Sequence, residues 1–268
     1  MSEERTLEGG NTGGAVLVDG TVRRQAGPWT TSVHAVLAHL EARGFVGAPR
    51  PRGFDDQGRE VLTYLPGEVV GAHRPWPAWT HSDEALVQVA HWLRTLHLIL
   101  ADFEPPADAV WREGGTWRRG LIIGHNDAAP YNAVWQDGRL VGFFDWDFAA
   151  PAAPEWDLAF TAFAWVPLHA RHVAAAEGFT AFDDRLRRLR LFLASYADAS
   201  PSQAAMNQPG SDQAFVEVVQ ERVRASIAGI RRSAAAGDPA YQAMITNGVE
   251  RSLMVAIEEM PGVLRIAE

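Results

Sequence analysis

The chain predicts an α+β fold in which a small antiparallel β-rich part with one helix precedes a larger, mostly helical part. Three observations carry this. Two short apolar segments meet at Asp19-Gly20, a second pair meets across Asp55 to Gly58, and beyond Gly67 the apolar residues recur mainly at helical spacing.

Thr6 to Glu8 reads as a first strand, and Gly9 to Gly14 as a flexible turn. Ala15 to Val18 and Thr21 to Arg24 flank Asp19-Gly20, a dipeptide suited to a type I′ turn, so the two segments are expected to pair. Val33, Val36, Leu37 and Leu40 predict a helix from Thr30 to Arg43, with Thr30 or Thr31 able to cap its start and Gly44 its end. Arg52 to Phe54 and Arg59 to Leu65 make the second hairpin. Pro66-Gly67 then marks the expected boundary between residues 1–66 and 67–268. Ser82, Asp83 and Glu84 suit the start of a helix running towards His97 or Leu100. Further helices are expected at Pro154 to Val166, Asp183 to Ala197, Gln213 to Arg232 and Pro239 to Met260, with a loop over 198–212.

With 268 residues, 47% of them hydrophobic, the chain can bury one large core or two lobes around a cleft. A net charge of −9 argues against nucleic acid or an anionic membrane as partner. The absence of cysteine excludes disulfides and thiolate chemistry. No signal peptide or membrane-length apolar run is seen, so a cytoplasmic location is expected. All 24 basic residues are arginine. A phosphate loop ending in lysine and a Schiff-base lysine are therefore excluded, and any cation gripping a phosphate must be Arg, His or a metal.

Chemistry concentrates in one segment. His125, Asp127 and Asn132 follow the spacing His-x-Asp-x4-Asn, and Asp145 comes thirteen residues after Asn132. Between them Asp137-Gly138 signals a two-residue hairpin. Pairing Gln136 with Arg139 sets Asn132 opposite Phe143 and brings Asp145 near Asn132. Their oxygens are hard ligands suited to Mg²⁺. Asp127, on the loop entering the first strand with His125 packed beneath it, can aim a carboxylate at a substrate hydroxyl, as phosphoryl transfer requires.

On these residues the chain resembles the aminoglycoside phosphotransferase family, which has a protein-kinase-like two-lobe fold. His125 to Asn132 is similar to that family's H-G-D-x-x-x-x-N loop, Phe144-Asp145-Trp146 to its I-D-W segment, and Pro154 to Ala159 to its P-x-x-D-L-A helix start. The resemblance implies an enzyme that moves a phosphoryl group from ATP, or another nucleoside triphosphate, with Mg²⁺ to the hydroxyl of a small molecule. It implies Asp127 as catalytic base and Asn132 and Asp145 as metal ligands. His125 and Asp157 would support the site structurally. The turn containing Gly10 and Asn11 would cover the phosphates, and the Tyr64 and Leu65 backbone would receive the base. Arg23 best matches the phosphate-clamping lysine, and the helix that normally supplies its glutamate partner offers Ser32, Val33 or His34 instead.

Alternatives stay open. One is a nucleotide-binding relative with weakened or lost transfer, acting as a binding module. A metal-dependent hydrolase would need a further His cluster. An interaction surface could be built from the ten tryptophans. The acceptor is an aminoglycoside or a metabolite alcohol, with Glu217, Glu221, Glu258 and Glu259 as candidate acidic lining.

Overall fold

Among the described residues up to Thr63 there are five short strands and one helix. The structure, a computed structural model, describes residues 4–7, 14–71, 73–197 and 211–264. Strands β1 (Arg5–Thr6), β2 (Val16–Val18), β3 (Thr21–Arg24), β4 (Pro51–Phe54) and β5 (Glu60–Thr63) form one antiparallel sheet in the order β1-β2-β3-β5-β4. Asp19 and Gly20 both have positive φ, as the expected type I′ turn requires.

Helix α1 (Thr30–Ala42) buries Val33, Val36, Leu37 and Leu40, and Gly44 follows it in the left-handed region. The expected threonine cap does not form. Trp29 holds the cap position without a side-chain bond, and Thr30 Oγ1 instead accepts the Gly27 amide at 2.9 Å.

By contact density the chain divides into two units. The first comprises Met1–Ala72 and Thr95–Pro154, the second His73–Arg94 and Glu155–Glu268. The first unit adds β6 (Ile122–Gly124) paired with β9 (Ala150–Ala152), and β7 (Ala133–Gln136) paired with β8 (Arg139–Phe143). The sequence offered no signal for the β6–β9 pair. Three residues cannot display an alternation, and Ala150-Pro151-Ala152 is not a strand-forming composition.

Helix α2 (Asp83–Leu100) starts in the second unit, where Ser82 Oγ accepts the Ala85 amide, and its last six residues belong to the first. The other helices are α3 (Pro154–Trp165), α4 (Arg171–Ala176), α5 (Arg185–Ala197), α6 (Ser211–Ala235), α7 (Pro239–Thr246) and α8 (Val249–Glu259). The single helix expected over 239–260 is thus two. Gly248 takes φ 77°, a left-handed conformation that ends α7 and lets α8 start anew. Ile230, Ala234 and Tyr241 form a buried cluster with Met244 and Leu253 packed against it. Among the described residues no helix is long and apolar enough to cross a membrane.

Candidate active site

The β7–β8 hairpin sets the frame. Asp137 and Gly138 both have positive φ, and Gln136 pairs with Arg139 as expected. The register then shifts between Val134 and Trp135, so Phe143 faces Ala133 rather than Asn132. This bulge corrects the sequence-based pairing by one residue. Its physical mark is Gly142, where an added Cβ would lie 2.3 Å from the Gly47 carbonyl oxygen. The consequence suits the site. The Phe144 amide donates to the Asn132 carbonyl at 3.0 Å, which brings the residue next to Asp145 directly against Asn132.

Asp127 is half-buried and held by two donors. Tyr131 Oη donates to Oδ1 at 2.8 Å, and Asn132 Nδ2 donates to Oδ2 at 2.8 Å and to the Asp127 carbonyl at 3.0 Å. With its nitrogen so engaged, Asn132 keeps Oδ1 as its acceptor face.

Beneath the loop, fully buried His125 accepts the Asp127 amide at Nδ1 (3.3 Å) and reaches the Phe144 carbonyl through Nε2 (3.2 Å). Since a carbonyl only accepts, the proton is on Nε2. The ring also lies 4.6 Å from Trp146, so one histidine ties the catalytic loop to the Asp145 segment.

Asn126 stands where the family motif has glycine, and its φ of 60° explains the exchange, because asparagine tolerates this region. Its buried amide donates to the carbonyls of Phe148 (3.1 Å), Gly124 (3.3 Å) and Ala150 (3.4 Å).

The cation facing these carboxylates is Arg24, not Arg23. Alternate strand residues leave a sheet on opposite faces. Arg23 is turned to Asp55, 3.7 Å away. Arg24 places Nη1 at 3.0 Å from Asp145 Oδ1, Nη2 at 2.6 Å from Asp147 Oδ1, and Nε against Glu60 Oε1. Burial by itself would lower the Arg24 pKa, but Asp147, Glu60 and Asp145 together raise it, so the guanidinium is permanently charged. The acidic partner of Arg24 thus comes from β5 and not from α1.

Arg112 is a second guanidinium without a sequence signal. It lies 3.2 Å from Asp147 Oδ2 and sits over the rings of Trp29 and Phe148 at 5.0 and 4.9 Å.

Residues 108–192, which contain the His125–Asn132 loop and the Asp145 and Asp157 segments, match the model of the phosphotransferase enzyme family (APH). A trifolitoxin immunity protein of Rhizobium leguminosarum bv. trifolii is 36% identical over 201 residues, covering 73% of this chain and 75% of that protein. The chain belongs to the phosphotransferase enzyme family. It is thus a phosphotransferase by family.

Solved structures of the same fold include a choline kinase of Cryptosporidium parvum Iowa II (TM-score 0.61, 15% identity, 98% of this chain and 91% of that one). A macrolide 2′-phosphotransferase of Brachybacterium faecium is also similar (TM-score 0.55, 18% identity, 95% and 91%). The fold is the protein-kinase-like α+β fold that the motif implied.

The remaining expected positions of this phosphotransferase are placed as follows. Tyr64 and Leu65, just past β5, are half-buried, and the Tyr64 amide donates to the Gly20 carbonyl at 3.1 Å. Gly10 and Asn11 lie outside the described residues. Asp157 is fully buried in the first turn of α3, and its carbonyl accepts Thr161 Oγ1 at 3.1 Å. Among the candidate acceptor-lining residues, Glu217 is bonded to Gln213 and Glu259 accepts the Arg171 amide. Among the described residues no group of three or more His, Asp or Glu converges as a metal cage. The acidic pair with an amide suits a cation that takes one or two protein ligands and completes its shell with phosphates and water.

Proposed function

We propose that this phosphotransferase uses ATP with Mg²⁺ to phosphorylate a hydroxyl of a small molecule. The observation that carries the reading is the fixed carboxylate of Asp127, gripped by Tyr131 and Asn132, whose carbonyl in turn accepts the amide of Phe144 beside Asp145. A base restrained at both oxygens is aimed before substrate arrives, and phosphoryl transfer is accelerated chiefly by such alignment together with charge neutralisation.

In this reading Asp127 orients the acceptor hydroxyl and takes its proton as the oxygen attacks the terminal phosphorus, whose bond to the bridging oxygen breaks to release ADP. Asn132 Oδ1 and the Asp145 carboxylate hold Mg²⁺. Their oxygens are the right donors, and Asp145 already draws a cation, Arg24, in the structure. Bound there, Mg²⁺ would neutralise the charge of the transferring phosphates. Arg24 replaces Arg23 as the proposed phosphate clamp, its planar fork suiting phosphate oxygens. Tyr64 and Leu65 receive the base through their backbone, and Gly10 and Asn11 close over the phosphates. His125 and Asp157 support the site. The acceptor is a free small molecule rather than nucleic acid or membrane, and the protein works in the cytoplasm. Because one relative is named for immunity to trifolitoxin and another acts on macrolides, antimicrobial compounds belong among the acceptors to be tried.

One observation favours a second reading, a nucleotide-binding protein with weakened transfer. Arg24 already pairs with both Asp145 and Asp147, so metal and phosphates must compete with these contacts.

One experiment separates these readings. ATP with Mg²⁺ is expected to raise the melting temperature, and Asp145→Ala to remove the Mg²⁺-dependent part. A screen of aminoglycosides, macrolides and metabolite alcohols for stimulated ATP consumption then reports transfer. No thermal shift at about millimolar nucleotide, a concentration well above ordinary kinase affinities, would sink the assignment. A shift with no acceptor-stimulated consumption supports the weakened reading.

A further inference from the structure

Arg24 is held from behind. Glu60 lies on β5 in direct cross-strand register with Arg24 on β3, so the two side chains leave the sheet on the same face. Glu60 is 1% exposed, where a charge survives only if it is paired. Both of its oxygens are committed: Oε1 meets Arg24 Nε, and Oε2 accepts from His34 Nε2 at 3.1 Å. A carboxylate only accepts, so His34 carries its proton on Nε2. The His34 ring is fixed in turn against Phe54, with centroids 5.2 Å apart. A continuous chain therefore runs from Phe54 on β4 through His34 on α1 and Glu60 on β5 to Arg24 on β3.

We infer that Glu60 and His34 are positioning residues for nucleotide binding: they pin the Nε edge of Arg24 so that only its two terminal nitrogens meet the acidic pair and the incoming phosphates. This rests on the nucleotide-binding reading above. The geometry of the guanidinium supplies the reason. Its donors form a rigid planar fork, so fixing one edge fixes the direction of the others. With Nε occupied by Glu60, Nη1 and Nη2 point to Asp145 and Asp147. Phosphates then compete only for those two nitrogens, without reorienting the whole side chain.

Released from Glu60, the guanidinium turns all its donors to Asp145 and Asp147. It then blocks the carboxylate proposed to take the metal. His34 cannot pair with Arg24 itself, since Nε2–H and a guanidinium are both donors. It acts one step back, keeping the Glu60 carboxylate in the plane that receives Arg24.

The test reads ATP affinity by calorimetric titration at several Mg²⁺ concentrations in the full chain. The set comprises the unmodified protein, Arg24→Met, Glu60→Gln and the double variant. Glu60→Gln is expected to weaken ATP·Mg²⁺ about tenfold, the loss of one charge-assisted bond, and to raise the Mg²⁺ needed for half-maximal binding. The double variant is expected to bind no worse than Arg24→Met alone, because Glu60 acts only through Arg24. A merely structural Glu60 would lower the melting temperature with affinity unchanged, or its loss would add to that of Arg24→Met; either result overturns the inference.

If Glu60→Gln does not fold, His34 decides. His34→Gln, which keeps a donor in reach, is expected to retain the affinity that His34→Leu loses, and equal affinities in the two overturn the inference. Failure of the unmodified chain to bind nucleotide overturns the proposed function along with it. Binding by the unmodified chain with additive losses overturns this inference alone.

Discussion

Between Asp127 and Asp145 the polar groups are placed by their neighbours in sequence, whereas Arg24, His34 and Glu60 are placed by three elements that meet only in the fold. The hairpin holds Asp127 with Tyr131 and Asn132, four and five residues away. The sheet side joins residues that lie 10, 26 and 36 positions apart by number. Local placement tolerates little change in spacing, and here the family motif stands nearly unaltered. Placement through the fold lets one element replace another, and here the chain departs from the pattern that the resemblance implied. The acid comes from a strand and the helix supplies its support.

The comparison is sharpened first on the hairpin side, where the effect should be largest. Asp127→Asn is expected to lower turnover about 10³-fold, the range for removing a positioned general base, while ATP affinity stays unchanged. Steady-state kinetics beside nucleotide titration check this, and a parallel loss of affinity would show that the two sides are not separable. On the sheet side the effect should fall on affinity. Arg24→Ala is expected to weaken ATP·Mg²⁺ about tenfold or more, the worth of a charge-assisted bond. Arg23→Ala, whose partner is Asp55, should leave it within about twofold, as for other half-exposed pairs. The opposite order would return the clamp to Arg23.

The same contrast explains what was legible in the sequence. Both Asp-Gly hairpins and the α1 apolar stripe are short-range signals, and the structure contains them where they were expected. The one-residue slip at Asn132 came from a bulge, which Gly142 hinted at but did not locate. Arg23 was chosen by similarity of position, whereas strand parity decides which arginine meets the carboxylates. With Arg24 opposite Glu60 in the register, parity would have chosen Arg24. Arg112 carried no pattern because its partner Asp147 lies 35 residues on, the β6–β9 strands are too short to show periodicity, and Tyr131, although inside the motif, occupies one of its unspecified positions. The break between α7 and α8 was marked by Asn247-Gly248 and was missed because the apolar spacing continues across it.

A smaller effect tests how far the hairpin side depends on its one departure from the motif. Asn126→Gly keeps the positive φ available but removes the amide that spans the Gly124, Phe148 and Ala150 carbonyls. Stability is expected to fall by about 1–2 kcal/mol, the net value of one or two hydrogen bonds, read by denaturant titration. An unchanged midpoint would mean that the amide bonds add nothing beyond glycine.

The smallest expected effect lies in the second unit and shows whether acid sensitivity belongs to the chemistry or to the helices. His81 Nε2 donates to the Glu177 carbonyl at 3.0 Å, and the ring packs against Phe179. Burial pushes its pKa below the usual histidine value, and nearby Arg188 acts the same way, against the bond to Glu177. The folded protein therefore keeps His81 neutral at a pH where the unfolded chain, titrating at about 6.5, takes up a proton. The unfolded state binds more protons in that window, so stability is fully present above about pH 6.5 and declines as pH falls towards the depressed folded value. His81→Gln keeps an N–H donor but cannot titrate. Its melting temperature is expected to fall less than that of the unmodified chain between about pH 7 and about pH 5.5, the interval in which a histidine near its usual pKa changes charge. Identical slopes in the two proteins would move the acid-sensitive group elsewhere, and a loss of ATP affinity with the same slope would tie it to the site instead.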